Sequence, residues 1–314
     1  MLTRATSSGC LVLAPAKINL SLEVLGRRPD GFHELRTVMS AIRLFDTLHV
    51  APAASGVVPV GSARVETERV ACDFALLGPI RRGATAPTDG SNLVVRALEE
   101  LAEAAGQRLK ACVRLFKRIP SQAGLGGGSA DAAAALVAGN QALSLCLPDQ
   151  RLRDLGARLG SDVPFFVDLL TRGRSYCAAL CEGRGERSTA VPNRSGLACV
   201  IVKPQQGLST AEVYRACEPA EHGDRGAAAA VCESLRTGVW RGRLTNSLQP
   251  AALRLAPWLS HISRTLAALP VLAHQMSGSG TACFALCRSA VVARRVAGAL
   301  RARGCGDAYQ TAIL

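Results

Sequence analysis

Residues 120–131 read PSQAGLGGGSAD, and residues 132–143 follow at once as AAAALVAGNQAL. Gly124, Gly126, Gly127 and Gly128 stand directly before a strong helix former that starts near Ser129. Glycine, lacking Cβ, lets a backbone turn tightly and approach a ligand closely. The first N–H groups of a helix have no partner inside it, and the helix dipole adds positive potential at that end. Together they make a site for an anion, phosphate above all. Ser129 is placed to cap the helix or to offer its hydroxyl to phosphate or Mg2+. The loop lacks the Gly-Lys-Ser/Thr ending of one common phosphate motif, and its glycine spacing departs from GxGxxG. On the loop alone, a purely structural glycine turn stays open beside nucleotide binding.

Working outward, residues 109–117 alternate apolar with polar and predict a strand entering the loop. Leu93, Ala97, Leu98, Leu101 and Ala105 share one stripe and predict a helix from Asn92. Residues 52–91 carry Ala, Gly, Pro and Thr with weak periodicity, so they read as a long excursion with one or two short strands and no chemistry. Near the start, 11–13 and 18–25 predict strands; in the second, Ile18, Leu20, Leu22 and Val24 alternate with Asn19, Ser21 and Glu23, the pattern of a half-buried strand. Further strand candidates end near 48–51. Downstream, helices are expected over 150–158, 210–217, 226–235 and 290–303 and around Leu248 and Ile262. Strands are expected over 176–181, 199–202, 271–275 and 283–287, with one more at the end. Strands and helices in irregular order point to an α+β fold.

With 48% hydrophobic and 19% charged residues, the 314-residue chain is long and apolar enough to bury a sizeable core without cross-links. Twelve cysteines spread without a dense pairing pattern argue for reduced thiols, and Cys177 with Cys181 and Cys283 with Cys287 read as buried apolar residues rather than zinc ligands. No window approaches a membrane span and no secretory leader is legible, so a cytoplasmic protein is expected. The net charge of +13 suits polyanionic partners such as nucleotides. Nucleic acid is not expected, because the arginines are scattered and no basic stripe is interleaved with base-stacking aromatics.

Four segments together carry a resemblance: APAKINLSLEVLGRRPDGFHELRT at 14–37, PSQAGLGGGSADAAAAL at 120–136, LGSDVPFF at 159–166 and MSGSGTACF at 276–284. From about Ala14 to the C-terminus the chain resembles the GHMP family of small-molecule kinases. The glycine loop identifies the superfamily; PAKINL, DGFHEL and GSDVPFF narrow it to the branch acting on a cytidine diphosphate-linked sugar alcohol. The resemblance implies a two-lobed α+β GHMP kinase fold, with a ribosomal protein S5 domain 2-like N-terminal lobe and a ferredoxin-like C-terminal lobe. The division expected is an ATP lobe at 1–175 joined by a C-terminal strand at 304–314, and a substrate lobe at 176–303.

The resemblance also implies roles. Asp162 matches the family's catalytic aspartate and Lys17 its partner lysine. The ATP site comprises Pro120, Ser121, Gln122, Ala123, Gly124, Leu125, Gly126, Gly127, Gly128, Ser129 and Ala130, with Asn92 near the adenine pocket. Phe32 and His33 match the positions that stack on and read cytosine, and Tyr214 the opposite stacking wall. Asn19, Thr210, Gly278 and Gly280 match further substrate contacts. ATP is the expected cosubstrate and Mg2+ the expected metal, its ligands unassigned; a monomer or homodimer is expected. Two departures stand out: Asn246, Ser247, Leu248 and Gln249 replace a commonly acidic Asn-Asp-x-Glu run, and Gln122 stands where a small residue is usual.

Overall fold

The computed structural model describes residues 2–53, 62–77, 85–194, 196–218 and 226–314. Residues 54–61 and 78–84 of the 52–91 excursion lie outside the described residues. Two compact units divide the chain: Met1–Ala16, Leu44–Ser121 and Gly126–Arg174 form the first, and Lys17–Arg43, Gln122–Leu125 and Ser175–Leu314 the second.

The first unit draws on strands β1 (Thr3–Thr6), β2 (Gly9–Arg27), β3 (His33–Pro52), β4 (Ala63–Glu66), β5 (Val70–Leu77) and β6 (Leu109–Phe116). They lie in the order β1-β2-β3-β6-β5-β4. The excursion thus holds two short strands as expected, and β5 pairs parallel with β6 across helix α1 (Leu93–Ala105). Helices α2 (Gly127–Ala142), α3 (Asp149–Leu159) and α4 (Val163–Arg172) complete the unit. Helix α2 is buried continuously from Ala130 to Gly139, and a side chain at Gly139 would lie 2.8 Å from Leu101 Cδ1. That explains the alanine run: a helix packed on every side by neighbours can approach them closely only with small residues.

Two expectations for the N-terminal strands change. Residues 11–13 and 18–25 belong to one continuous strand, β2. Nor is that strand half-buried, since Asn19, Ser21 and Glu23 are as buried as Ile18, Leu20 and Leu22. The polar alternate positions mark an enclosed polar wall, whose hydrogen bonds are described below.

The second unit adds β7 (Ala178–Gly183), β8 (Arg187–Ala190), β9 (Ala198–Lys203), helices α5 (Thr210–Arg215) and α6 (Ala227–Thr237), β10 (Thr245–Asn246), α7 (Gln249–Leu255), α8 (Leu259–Ala267), β11 (Ala273–Met276), β12 (Cys283–Cys287), α9 (Ala290–Ala302) and β13 (Asp307–Ala312). A four-stranded antiparallel sheet runs β11-β12-β9-β13. With α9 joining β12 to β13, this is the ferredoxin-like strand order expected for the C-terminal lobe. Of the expected C-terminal strand at 304–314, Asp307–Ala312 form β13, which pairs with β9 from Asp307↔Lys203 to Ala312↔Ala198, and Ile313 just beyond it bridges Ile42 on β3. Contact also assigns Lys17–Arg43 and Gln122–Leu125 to this unit, unlike a single division at 175.

Val200, Val202, Ala285, Val296 and Leu300 fill the core on this sheet together with Ile262 and Leu266. Each fully buried side chain of this size is worth about 1.5–3 kcal/mol. Cys177, Cys181, Cys283 and Cys287 are buried and unbridged. Burial raises the Cys283 thiol to about 12 and the Cys287 thiol to about 11, so both remain protonated packing residues.

Candidate active site

In the first unit, buried Ile119 and Pro120 lead into the glycine loop. Ser121 is tied to Thr85, its hydroxyl donating to Thr85 O at 2.6 Å. Gly126 has φ +69° and is the N-cap of α2, and the first intrahelical bond runs from Ala130 N to Gly126 O at 2.8 Å. The N–H groups of Gly127, Gly128 and Ser129 therefore have no intrahelical acceptor, and no side chain caps the helix. This also corrects the role of Ser129: the helix starts two residues earlier than expected, so Ser129 sits in its first turn and only its availability to a ligand remains. A Cβ on Gly127 would lie 2.9 Å from Ile119 Cγ2, which keeps that position bare.

Asn92 caps α1, its Oδ1 accepting from Val94 N at 2.8 Å and its Nδ2 donating to Pro87 O. A Cβ on Gly128 would touch Leu93 Cδ1 at 3.4 Å, so the start of α1 lies beside the loop. Asp162 is the N-cap residue of α4, which packs on α2 and α3, but its carboxylate accepts none of the first-turn N–H groups of its helix.

Behind the loop lies a charged cluster that sequence reading missed. Lys117 Nζ donates to Asp46 Oδ2 at 2.5 Å and to Asp131 Oδ2 at 2.7 Å, and all three side chains are buried. Asp46 Oδ1 also accepts the backbone N–H groups of Arg118 and Ile119. Burial opposes the Lys117 charge, but Asp131 and Asp46 outweigh it and hold its pKa above the ordinary lysine value. Burial pushes Asp131 well above the ordinary carboxylate range against the pull of Lys117, with Asp46 adding to the rise. The two directions agree: Lys117 is held in its charged form, and Asp131, whose Oδ1 accepts no hydrogen bond, is driven toward its neutral form. A lysine closing the strand just before a glycine loop was the available signal.

The second unit holds the other predicted residues. Lys17, 4% exposed on β2, donates from Nζ to Asn19 Oδ1 at 2.6 Å. Asn19 Nδ2 passes a bond to Thr37 Oγ1 at 2.8 Å, and Thr37 Oγ1 donates to Ser21 O. The backbone N–H of Lys17 donates to Leu125 O at 2.9 Å, which joins this polar wall to the first half of the glycine loop. Ala123 and Leu125 are buried, while Gln122 is exposed with φ +50°. Gly124 adopts φ +70°, and a Cβ there would sit 2.0 Å from Ser277 O. Ser277 Oγ in turn donates to Gly124 O at 2.9 Å.

Gly278 and Gly280 thus belong to a turn packed on the glycine loop, with Gly278 also beside Asn19 Oδ1. Two residues of the 246–249 run serve this turn: Asn246, which keeps the family's asparagine, and Gln249, which departs from its acid. Asn246 Nδ2 donates to Met276 O and Gly278 O at 3.0 and 2.8 Å, and Gln249 Oε1 accepts from Met276 N at 3.2 Å. An amide can donate to two carbonyls where a carboxylate could not. Thr210, the first residue of α5, bonds Ser279 Oγ at 2.8 Å.

His33 and Tyr214 lie with ring centroids 5.2 Å apart, and Tyr214 also packs partly against the core of its unit. Phe32 is 51% exposed, as expected of a ring not recruited to the core. The ring that meets Tyr214 is His33, whereas Phe32 faces the Arg184 guanidinium.

A glycine loop feeding a helix start, with a lysine wall and a ferredoxin-like second unit, defines a GHMP-type small-molecule kinase. Profiles for the GHMP kinases N terminal domain and the GHMP kinases C terminal domain match residues 92–168 and 225–304. The 4-diphosphocytidyl-2-C-methyl-D-erythritol kinase of Pelotomaculum thermopropionicum is 41% identical over 92% of this chain and 93% of its own. The enzyme of the same name from Citrifermentans bemidjiense is 36% identical over 93% and 95%. A crystal structure of 4-(cytidine 5'-diphospho)-2C-methyl-D-erythritol kinase superposes with a TM-score of 0.75 at 37% identity, covering 96% of this chain and 98% of that one. A homoserine kinase from Cytophaga hutchinsonii shares the fold, with a TM-score of 0.68 at 18% identity over 99% of this chain and 96% of that one. The chain belongs to the 4-diphosphocytidyl-2-C-methyl-D-erythritol kinase family. No helix among the described residues is long and apolar enough to cross a membrane.

Proposed function

We propose that this chain transfers the γ-phosphoryl group of ATP to the 2-hydroxyl of 4-(cytidine 5'-diphospho)-2-C-methyl-D-erythritol, yielding the 2-phosphate and ADP in non-mevalonate isoprenoid precursor biosynthesis. The observation that carries this reading is Lys17: buried on β2, bonded to Asn19 and joined through its backbone to Leu125 of the glycine loop. A buried lysine must be compensated, and a cation so placed can offset the charge on a moving phosphoryl group.

In this mechanism the amides of Gly127, Gly128 and Ser129 grip the triphosphate. Asp162 accepts or orients the proton of the 2-hydroxyl, and Lys17 offsets the charge that spreads over the transferred group. Mg2+ bound with ATP would neutralise charge on the triphosphate, and the Ser129 hydroxyl would be the oxygen the loop offers it. Phe32, His33 and Tyr214 receive the cytosine, where stacking is worth about 1–3 kcal/mol per base. Thr210, Asn19, Gly278 and Gly280 line the path of the sugar alcohol.

ADP release measured side by side with the cytidine diphosphate substrate, homoserine and mevalonate checks the reading. Turnover is expected with the first alone, inhibited by CDP and CMP. Comparable turnover of homoserine or mevalonate, or indifference to CDP, would overturn it.

A further inference from the structure

The turn that carries Phe32 and His33 is held from two sides. Within it, Phe32 N donates to Asp30 Oδ1 at 3.1 Å and Arg28 N to Phe32 O at 2.8 Å. Next to it, the hairpin joining β7 to β8 places Arg187 against Glu34 at 3.2 Å, and Arg28 takes the other oxygen of Glu34 at 3.0 Å. Strand register fixes this neighbourhood, because Leu35 on β3 lies opposite Gly183 on β7. The hairpin tip is itself closed: Gly183 has φ +77°, and a side chain there would come within 2.7 Å of the Glu186 carboxylate. Glu186 Oε2 accepts the Arg184 backbone N–H at 2.6 Å.

What that tip presents is Arg184. Its guanidinium carbon stands 4.9 Å from the centroid of the Phe32 ring, the geometry of a cation over an aromatic face. Its contact with the Glu186 carboxylate is looser, 4.0 Å from Nε. Arg184 thus covers one face of Phe32, and the residue stays half exposed.

We propose that Arg184 is a positioning residue for the cytidine end of the substrate: it stacks on one face of Phe32 and pins the ring so that the base can lie on the other. This rests on the reading of Phe32 as a base-stacking wall. An exposed ring in a turn must otherwise lose its rotamer freedom when a base arrives, a cost that weakens binding. A guanidinium already against it pays part of that loss in the free enzyme. Arg184 approaches Phe32 from the hairpin tip and needs no contact with the phosphates. Its effect is therefore the same for every ligand that carries cytosine.

The test measures inhibition constants of cytidine, CMP and CDP, together with KM and kcat, for the native enzyme, Arg184→Gln, Arg184→Lys and Phe32→Ala. Arg184→Gln is expected to weaken all three ligands by the same factor, about two- to five-fold. KM for the cytidine diphosphate substrate should rise equally, with kcat, KM for ATP and the melting temperature retained, and Arg184→Lys should recover part of the loss. Unchanged affinity in Arg184→Gln with a clear loss in Phe32→Ala would overturn the role of Arg184 alone. A loss that grows from cytidine to CDP would also overturn it, assigning the guanidinium to phosphate. Unchanged cytidine affinity in Phe32→Ala would remove the stacking wall itself, and the proposal with it.

Discussion

Asp162→Asn is expected to lower turnover by about three orders of magnitude, within the range that a positioned acid–base group contributes, while ATP and ADP bind with nearly native affinity. The two halves of this expectation have separate causes. Asparagine keeps the shape of the side chain but can neither take a proton nor hold the negative charge that orients the attacking hydroxyl. In the proposed mechanism the triphosphate, in contrast, is held by amides at the start of α2, on a different helix. The substitution also removes no helix cap, because the Asp162 carboxylate accepts none of the first-turn N–H groups of α4. Lys17→Met should lower turnover as well, and the double variant should be little worse than Asp162→Asn, since groups serving one step are not additive. Steady-state kinetics with nucleotide binding by calorimetry check both halves; native turnover in Asp162→Asn would remove the aspartate from the reaction.

Lys117→Met should produce the largest loss of stability, about 3–5 kcal/mol, as expected when one partner leaves a buried ion cluster. Asp46 keeps the N–H groups of Arg118 and Ile119, so it stays partly solvated by the backbone. Asp131 loses the only partner shown for its Oδ2 and already has none for Oδ1. Because burial already drives Asp131 toward its neutral form, Lys117→Met combined with Asp46→Asn should be milder than Lys117→Met alone. Urea unfolding of the two variants decides this, and equal losses would contradict it. The cluster also sets a pH dependence. The folded pKa of Asp131 lies above its unfolded value of about 3.9. Its contribution is then fully present below that unfolded value and lost as pH rises through the raised folded pKa. Native stability should fall toward alkaline pH, with a shallower slope in Asp131→Asn.

Much of this architecture was legible because its signals are local. The glycines sit within five positions, and the helix behind them is a run of alanines that has no other use. The strands of the C-terminal sheet are short apolar runs between turns, and they fall close to the expected bounds. What escaped depends on distance. Asp46, Lys117 and Asp131 come from β3, the end of β6 and α2, and no spacing in the sequence brings them together. Asn246 lies in a two-residue strand too short to show any period, and its role appears only when the turn at 276–280 folds against it. The polar positions of β2 looked like a solvent face because alternation cannot tell water from an enclosed polar wall. The final strand was legible as a strand, but only register shows its partners: β13 lies on β9, and Ile313 beyond it bridges Ile42 of β3. The candidate site residues Phe32, His33, Tyr214, Lys17 and Asp162 were named through family resemblance; Arg184 had no pattern of its own, and Ser277 and Ser279, though inside the MSGSG segment, were given no role.

Phosphorus NMR of the complete reaction with the cytidine diphosphate substrate tests the central claim most directly. The carbon bearing the 2-hydroxyl carries a methyl group and no hydrogen, so a phosphate added there gives a resonance without splitting by a proton on that carbon. As the γ-phosphate of ATP disappears, that new phosphomonoester signal is expected to grow in equal amount while both phosphates of the cytidine diphosphate moiety stay intact. ATP loss that yields only inorganic phosphate, or cleavage of the cytidine diphosphate, would contradict a kinase acting at this hydroxyl.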